Sequence, residues 1–261
     1  MRPHERHEEI VKLVTILGEV SVDELADKLG MSKETVRRDL VSLDAAGRVH
    51  KFHGGARTPP NGATEPLGEG SFATRLAENR TGKRTIAQIA ASLLVPGDSL
   101  FLDTGTTTLM FAEAIVHLPR LTVITNSSRI ASVVAAGAEH KVFLIGGAYS
   151  VDASETVGAL AVEQIQQFRA RYAFLTVGAV DRSGVLDFDE RETQIARAMI
   201  ERAESVNVLA DSSKFSKRGI FEVAPWARID RLVSDRLPPK NIADTAQAAG
   251  TQFLTALHEA A

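Results

Sequence analysis

From residue 99 onward, short apolar runs recur, the early ones separated by helix-length segments, and this alternation restricts the fold more than any other feature of the chain. The runs occupy residues 99–103, 121–125, 142–145, 173–177, 206–210 and 229–233. Runs of this kind, interleaved with helices, call for a mostly parallel sheet covered on its faces. A helix around Ile86, Ile89, Ala90, Leu93 and Leu94 leads into the first run through Pro96, Gly97 and Asp98. After Pro238 and Pro239, Ile242, Ala243, Ala246 and Ala249 mark a covering helix, and Phe253 and Leu254 a last strand.

The first part of the chain has a different period. Ile10, Leu13, Val14 and Leu17 follow helical spacing up to Gly18. Ser21 and Glu24 form a capping box for a short helix with Leu25, Ala26 and Leu29, stopped by Gly30. Ser32 caps a third helix whose apolar stripe is Val36, Leu40 and Leu43, so residues 21–43 spell a helix-turn-helix. Lys33, Thr35, Arg37 and Arg38 lie off that stripe in the N-terminal half, the part of a recognition helix that meets base edges. On an isolated helix the same residues would be a solvated basic face. After Gly47, residues 48–57 read as a short β-ribbon with two glycines, a wing whose Arg48, Lys51, His53 and Arg57 suit phosphate contacts. His50 and His53 have no further ligand at metal spacing.

The net charge of −3 argues against nucleic acid only when the 261 residues are taken as one object. Residues 31–58 carry six Lys/Arg against three Asp/Glu, while residues 1–30 and 59–261 each carry an excess of three acids. The basic stretch coincides with the third helix and the wing. There is no cysteine, which removes disulfides, thiolate nucleophiles and zinc knuckles and suits a reducing cytoplasm. No membrane partner, metal site or cofactor is expected. Residues 58–71 concentrate proline and glycine, so the expected division is a DNA-binding domain at 1–57, a linker at 58–74 and an α/β domain at 75–261.

In parallel sheets ligands gather at the carboxyl ends of strands. Here the first run ends in Asp103, Thr104, Gly105, Thr106, Thr107 and Thr108, opening a helix. Hydroxyls, free amides and the helix dipole make a phosphate cradle, although a threonine-capped core helix uses the same residues. Later strand ends supply Asn126, Gly146, Gly147, Gly178, Asp181 and Lys214. Each serves as an ordinary turn residue by itself; together they suit a phosphorylated polyol, with cation and amides for phosphate and Asn and Asp for hydroxyls.

Ser32, Thr35 to Leu40, Leu43, Gly47 and His53 to Ala56 resemble the DeoR family of bacterial sugar-operon regulators over nearly all of residues 5–57. Residues 75–257 resemble the sensor domain of that family, through the loop at 103–107, Thr125-Asn126, Gly146-Gly147 and the segment at 211–215. That domain is similar to ribose-5-phosphate isomerases. Where those enzymes carry Lys-Gly-Gly-Gly-Gly, this chain has Asp187, Phe188, Asp189, Glu190 and Arg191. The resemblance implies a winged helix-turn-helix head, a sugar-phosphate-responsive α/β domain, double-stranded operator DNA as partner, repression, and a homo-oligomer, dimer or tetramer. Two other readings stay open. One is a sugar-phosphate isomerase with an accessory domain, Glu190 and Glu192 being possible bases; the other is a constitutive DNA-binding protein whose α/β domain only oligomerises.

Overall fold

The computed structural model describes residues 3–45, 48–52, 54–57, 70–137 and 139–256. The chain divides into two compact units, residues 1–67 and 68–261. Gly47, His53 and residues 58–69 of the expected linker lie outside the described residues.

The first unit runs α1 (Pro3–Leu17), β1 (Glu19–Ser21), α2 (Val22–Leu29), α3 (Lys33–Ala45), β2 (His50–Phe52) and β3 (Gly55–Arg57). Local chemistry sets each boundary. The Ser21 hydroxyl accepts the Glu24 N–H at 3.1 Å, and the Glu24 carboxylate accepts the Ser21 N–H at 2.9 Å. Gly30 closes α2 in the left-handed conformation at φ 63°. Ile10, Val14, Leu25, Val36, Leu40, Leu43 and Val49 are buried together as the core. Leu17, expected on the apolar face of α1, is half exposed because it stands at the helix end. The wing is a three-stranded antiparallel sheet in the order β1-β3-β2. A Cβ on Gly55 would lie 2.4 Å from the Val20 carbonyl oxygen, so only glycine lets β3 close on β1.

The second unit begins earlier than expected. Helix α4 (Phe72–Ala77) takes in residues assigned to the linker, because Phe72 is buried in this unit's core and Ser71 caps the helix. Then follow α5 (Arg80–Ser92), β4 (Ser99–Leu102), α6 (Thr106–Ile115), β5 (Thr122–Thr125), α7 (Ser128–Ala135), β6 (Lys141–Leu144), β7 (Ala148–Ser150), β8 (Glu155–Val157), α8 (Ala159–Ile165) and β9 (Ala170–Leu175). The chain continues through β10 (Ala179–Val180), β11 (Gly184–Asp187), α9 (Glu190–Glu201), β12 (Ala203–Leu209), β13 (Phe221–Pro225), β14 (Arg231–Val233), α10 (Lys240–Ala248) and β15 (Gln252–Leu254). Seven strands form one all-parallel sheet in the order β15-β14-β12-β9-β4-β5-β6. Successive side chains alternate faces. Phe101, Ile124, Ala173 and Val208 therefore enter one core with α8, α9 and α10, while Leu100, Leu102, Val123 and Leu209 enter another with α5, α6 and α7. Two additions escape the α/β alternation: the hairpin β7–β8 and the antiparallel sheet β10-β11-β13.

Candidate functional site

On the head, Ser32 starts α3. Its hydroxyl accepts the Thr35 N–H at 3.2 Å and meets the Thr35 hydroxyl at 2.8 Å. Burial of Val36, Leu40 and Leu43 turns Lys33, Arg37 and Arg38 outward. The Arg37 and Arg38 side chains are 60% and 81% exposed, with Glu34 at 3.8 and 3.7 Å. Lys33 meets Asp23 of α2 at 3.0 Å, in solvent. Asp39, next along the helix, behaves differently. Its carboxylate receives two hydrogen bonds from the Arg6 guanidinium and lies 3.0 Å from His7 Nε2. Burial pushes this carboxyl up, but the bonds from Arg6 and His7 outweigh it and hold the group below the usual carboxylate range. Asp39 thereby locks α3 to α1 and fixes the direction in which the two arginines point.

Lys51 and Arg57 are exposed on the wing strands. Arg48 does not join them. Glu8 of α1 lies opposite and takes its guanidinium in two bonds of 2.8 and 2.9 Å, so the expected phosphate contact is here a tie within the head.

In the larger unit β9, β4 and β5 are neighbours, and their carboxyl ends deliver Thr176, Asp103, Thr104 and Asn126 to one narrow recess. Glu155 of β8, Asp187 of β11 and Glu192, Ile195 and Ala196 of α9 complete its walls. Asp103 accepts the Thr176 N–H at 2.7 Å. Burial nonetheless pushes its carboxyl well up, and the charge of Asp187 adds to this. Burial, then the charges of Glu155 and Asp187, push Glu192 up to about 9. Glu155 is raised by burial too. The Asn126 amide donates to the Thr156 carbonyl at 3.0 Å and to Glu155 at 3.3 Å. Asn126 Oδ1, buried, has no hydrogen-bond partner among the described residues, while the Thr104 hydroxyl faces Glu155. Beside them α6 begins at Gly105, and no side chain caps its first-turn amides. An uncapped, buried helix start next to an unpaired polar atom is chemically suited to an anion and hydroxyl groups.

Residues 78–236 match the DeoR C terminal sensor domain, and residues 6–61 match the DeoR-like helix-turn-helix domain. The chain belongs to the DeoR family of transcriptional regulators. It is 34% identical to the L-fucose operon activator of Haemophilus influenzae, across 91% of this chain and 94% of that one. It is 31% identical to the glycerol-3-phosphate regulon repressor of the same organism, across 91% of each. The HTH-type transcriptional repressor CsqR of Escherichia coli is 29% identical across 95% of this chain and 94% of its own. Among solved structures, ribose 5-phosphate isomerase A from Methanocaldococcus jannaschii is similar at TM-score 0.39 and 17% identity, covering 52% of this chain and 55% of that one.

The DeoR sensor domain uses the sequence-derived residues unequally. Asp103, Thr104 and Asn126 line the recess. Thr106, Thr107 and Thr108 form the buried first turn of α6 without lining it. Gly105 is a glycine for packing: a Cβ there would lie 2.0 Å from Thr176 Oγ1. The other strand-end residues make contacts of their own and do not line the recess. Gly146 donates its N–H to Gln164 Oε1 at 2.9 Å, and Gly147 sits at φ 150° against the Val157 carbonyl. Gly178 makes room for Phe188. Asp181 is spent on the β10–β11 turn, accepting the Ser183 N–H and hydroxyl at 2.7 Å. Lys214 lies in a 3₁₀ turn held by Asp211 and does not line the recess. Glu155, Thr176 and Glu192 line the recess instead. Glu192 was visible as a charge at a helix start, whereas Glu155 carried no local signal beyond an acid in a short apolar strand.

A buried lysine also escaped the sequence. Lys83 Nζ donates to the carbonyls of Arg75 and Glu78, the latter at 2.8 Å, and approaches Asp211 at 3.9 Å. It fastens α4 to the end of β12. Among the described residues no helix is long and apolar enough to cross a membrane.

Proposed function

We propose that this regulator binds double-stranded operator DNA through the exposed start of α3 and the wing, and that a phosphorylated sugar or polyol held in the recess changes that binding. Lys33, Thr35, Arg37, Arg38, Lys51 and Arg57 form the DNA-facing set. Arginine forks at the N-terminal half of α3 suit guanine edges and phosphate. The α6 amides take the phosphate of the effector, and Asn126, Thr104 and the carboxyl groups take its hydroxyls. The observation that carries this reading is the recess itself, with its orphaned Asn126 oxygen and the Thr104 hydroxyl beside an uncapped helix start. The relatives named for a glycerol-3-phosphate regulon and an L-fucose operon support the same ligand class.

The protein acts as a cytoplasmic repressor of a sugar or polyol operon, without turnover of its own, as a homo-oligomer whose paired heads read a two-fold operator. Regulation requires the effector to favour one DNA-binding state over the other. The test has two stages. DNA is selected from a random-sequence pool by the full-length protein, and sugar phosphates are screened by thermal shift. A stabilising sugar phosphate must then move the affinity for the selected DNA at least fivefold. A hit that is consumed by the protein would favour the isomerase reading, and hits with no effect on DNA would favour constitutive binding.

A further inference from the structure

One edge of the parallel sheet is open. Strand β6 is the last in the order, and Lys141, Phe143 and Leu144 of its residues are exposed. Lys141 and Ile145 donate their N–H groups to the carbonyls of Leu121 and Thr125 at 2.8 and 2.9 Å. Main-chain groups alternate sides along a strand, so those of Val142 and Leu144 point away from β5, where no strand of the described residues meets them. Natural sheets guard such an edge with charges or proline. Here residues 142–151 contain neither.

The rim of this edge is apolar. Phe143 rests on Phe168 with ring centroids 5.2 Å apart and is still 44% exposed. Beyond Leu144 the chain passes Gly146, bonded to Gln164 of α8, and Gly147, which faces Ala161 of α8. It then enters β7, where the Tyr149 hydroxyl lies 3.4 Å from that of Ser128 on α7. Leu144, Tyr149, Val151 of the hairpin turn and Leu160 of α8 are each more than half exposed. With free side chains of about 150–200 Å², these five leave roughly 500 Å² uncovered per copy, or about 1,000 Å² for a pair before the edge backbone is added, close to the roughly 1,200 Å² at which stable interfaces begin.

We propose that two copies of this chain join at β6, antiparallel about a two-fold axis through Phe143, so that their seven-stranded sheets become one. The proposal rests on the homo-oligomer reading above and assigns its surface. The edge fits a second copy of itself. With the axis at Phe143, Val142 of each copy exchanges both main-chain hydrogen bonds with Leu144 of the other, and the two Phe143 rings meet as a non-hydrogen-bonded cross-strand pair. Each ring is already backed by Phe168, so the joint closes over aromatic surface. The same register sets Lys141 opposite Ile145, which keeps the two lysines at opposite ends of the ladder.

The test uses the full-length protein, whose lack of cysteine makes a single introduced thiol unambiguous. Opposed residues of a non-hydrogen-bonded antiparallel pair have Cα atoms about 4.5 Å apart, within the span of a disulfide. Phe143→Cys is therefore expected to give mostly cross-linked dimer on mild oxidation at micromolar concentration, at least tenfold faster than Val95→Cys at an exposed apolar site elsewhere. Sedimentation equilibrium of Phe143→Glu, checked for native circular dichroism, should show one association step weakened at least a hundredfold. Cross-linking of Phe143→Cys no faster than that of Val95→Cys overturns the proposal, and so does wild-type association in Phe143→Glu, which would place the joint between copies elsewhere. A wild-type protein that stays monomeric leaves the edge to a different protein and overturns the homo-oligomer reading as well.

Discussion

Asp39 is a buried acid and Glu192 a partly buried one, yet their surroundings move them in opposite directions, and the two units inherit opposite responses to pH. Asp39 is held low by Arg6 and His7. Its contribution is complete above the ordinary aspartate range, near pH 4, and is lost as pH falls through its lowered folded value. Glu192 is raised to about 9. Its folded form binds a proton that the unfolded chain releases near pH 4, so stability declines as pH rises from there towards 9. Asp39→Ala is therefore expected to destabilise the head by about 1–3 kcal/mol at pH 7, leaving Arg6 without its partner. Hydrogen exchange of residues 33–45 reads this, and unchanged protection there would show that the lock contributes nothing. Glu192→Gln is expected to raise the melting temperature of the sensor domain by roughly 3–6 °C at pH 8, with the gain vanishing near pH 4. On the DNA face, Arg37→Ala and Arg38→Ala each remove an exposed fork and should weaken selected-DNA binding tenfold or more, by about 1–3 kcal/mol, with unfolding unaltered. Retained affinity in both variants, measured by salt-matched gel shift, refutes the recognition-helix assignment.

Helices and parallel strands were legible because burial repeats with a fixed period. Val36, Leu40 and Leu43 mark α3, and β4 sends Leu100 and Leu102 to one core and Phe101 to the other. The short antiparallel pieces were not. Strand β1 has a single buried residue, Val20, between a helix stop at Gly18 and a cap at Ser21, and it exists only because residues 55–57 pair with it. Sheet β10-β11-β13 joins Gly184 to Pro225 across forty intervening residues, a pairing without local pattern. The recess divides in the same way. Asp103 and Asn126 follow apolar runs and were legible as strand-end residues, whereas Glu155 and Glu192 occupy a hairpin strand and a helix start, where acids are ordinarily solvated. Only the tertiary fold turns them inward. At this scale Ser21→Ala should cost about 1 kcal/mol in the head through loss of the capping box, read by exchange of residues 22–29. Thr104→Val, which removes a recess hydroxyl beside the start of α6, should weaken the effector at least tenfold and leave DNA binding intact. Lys214→Ala should leave effector affinity within about twofold, and a large loss in that variant would place the phosphate elsewhere.

For the whole molecule, the overall charge of −3 conceals a basic head surface, and the structure reduces that surface further by committing Arg48 to Glu8. Five cations, Lys33, Arg37, Arg38, Lys51 and Arg57, remain for phosphate and bases. At about −0.9 per phosphate contact, the slope of log affinity against log salt should be no steeper than about −4.5 per head. A much steeper slope would mean that residues outside this set touch DNA. Coupling between the units is reciprocal: the factor by which an effector changes DNA affinity must equal the factor by which selected DNA changes effector affinity. Measuring both directions separates a true conformational link from independent binding. The last consequence concerns Gly105, whose missing methyl lets Thr176 stand against it at the tips of β4 and β9. That contact makes one side of the recess a hard wall, whose position cannot drift without parting two central strands. Ile195 and Ala196 of α9, which also line the recess, are buried in the core that α9 shares with the sheet. Retuning this chain to a longer or bulkier ligand therefore means repacking α9 against the sheet.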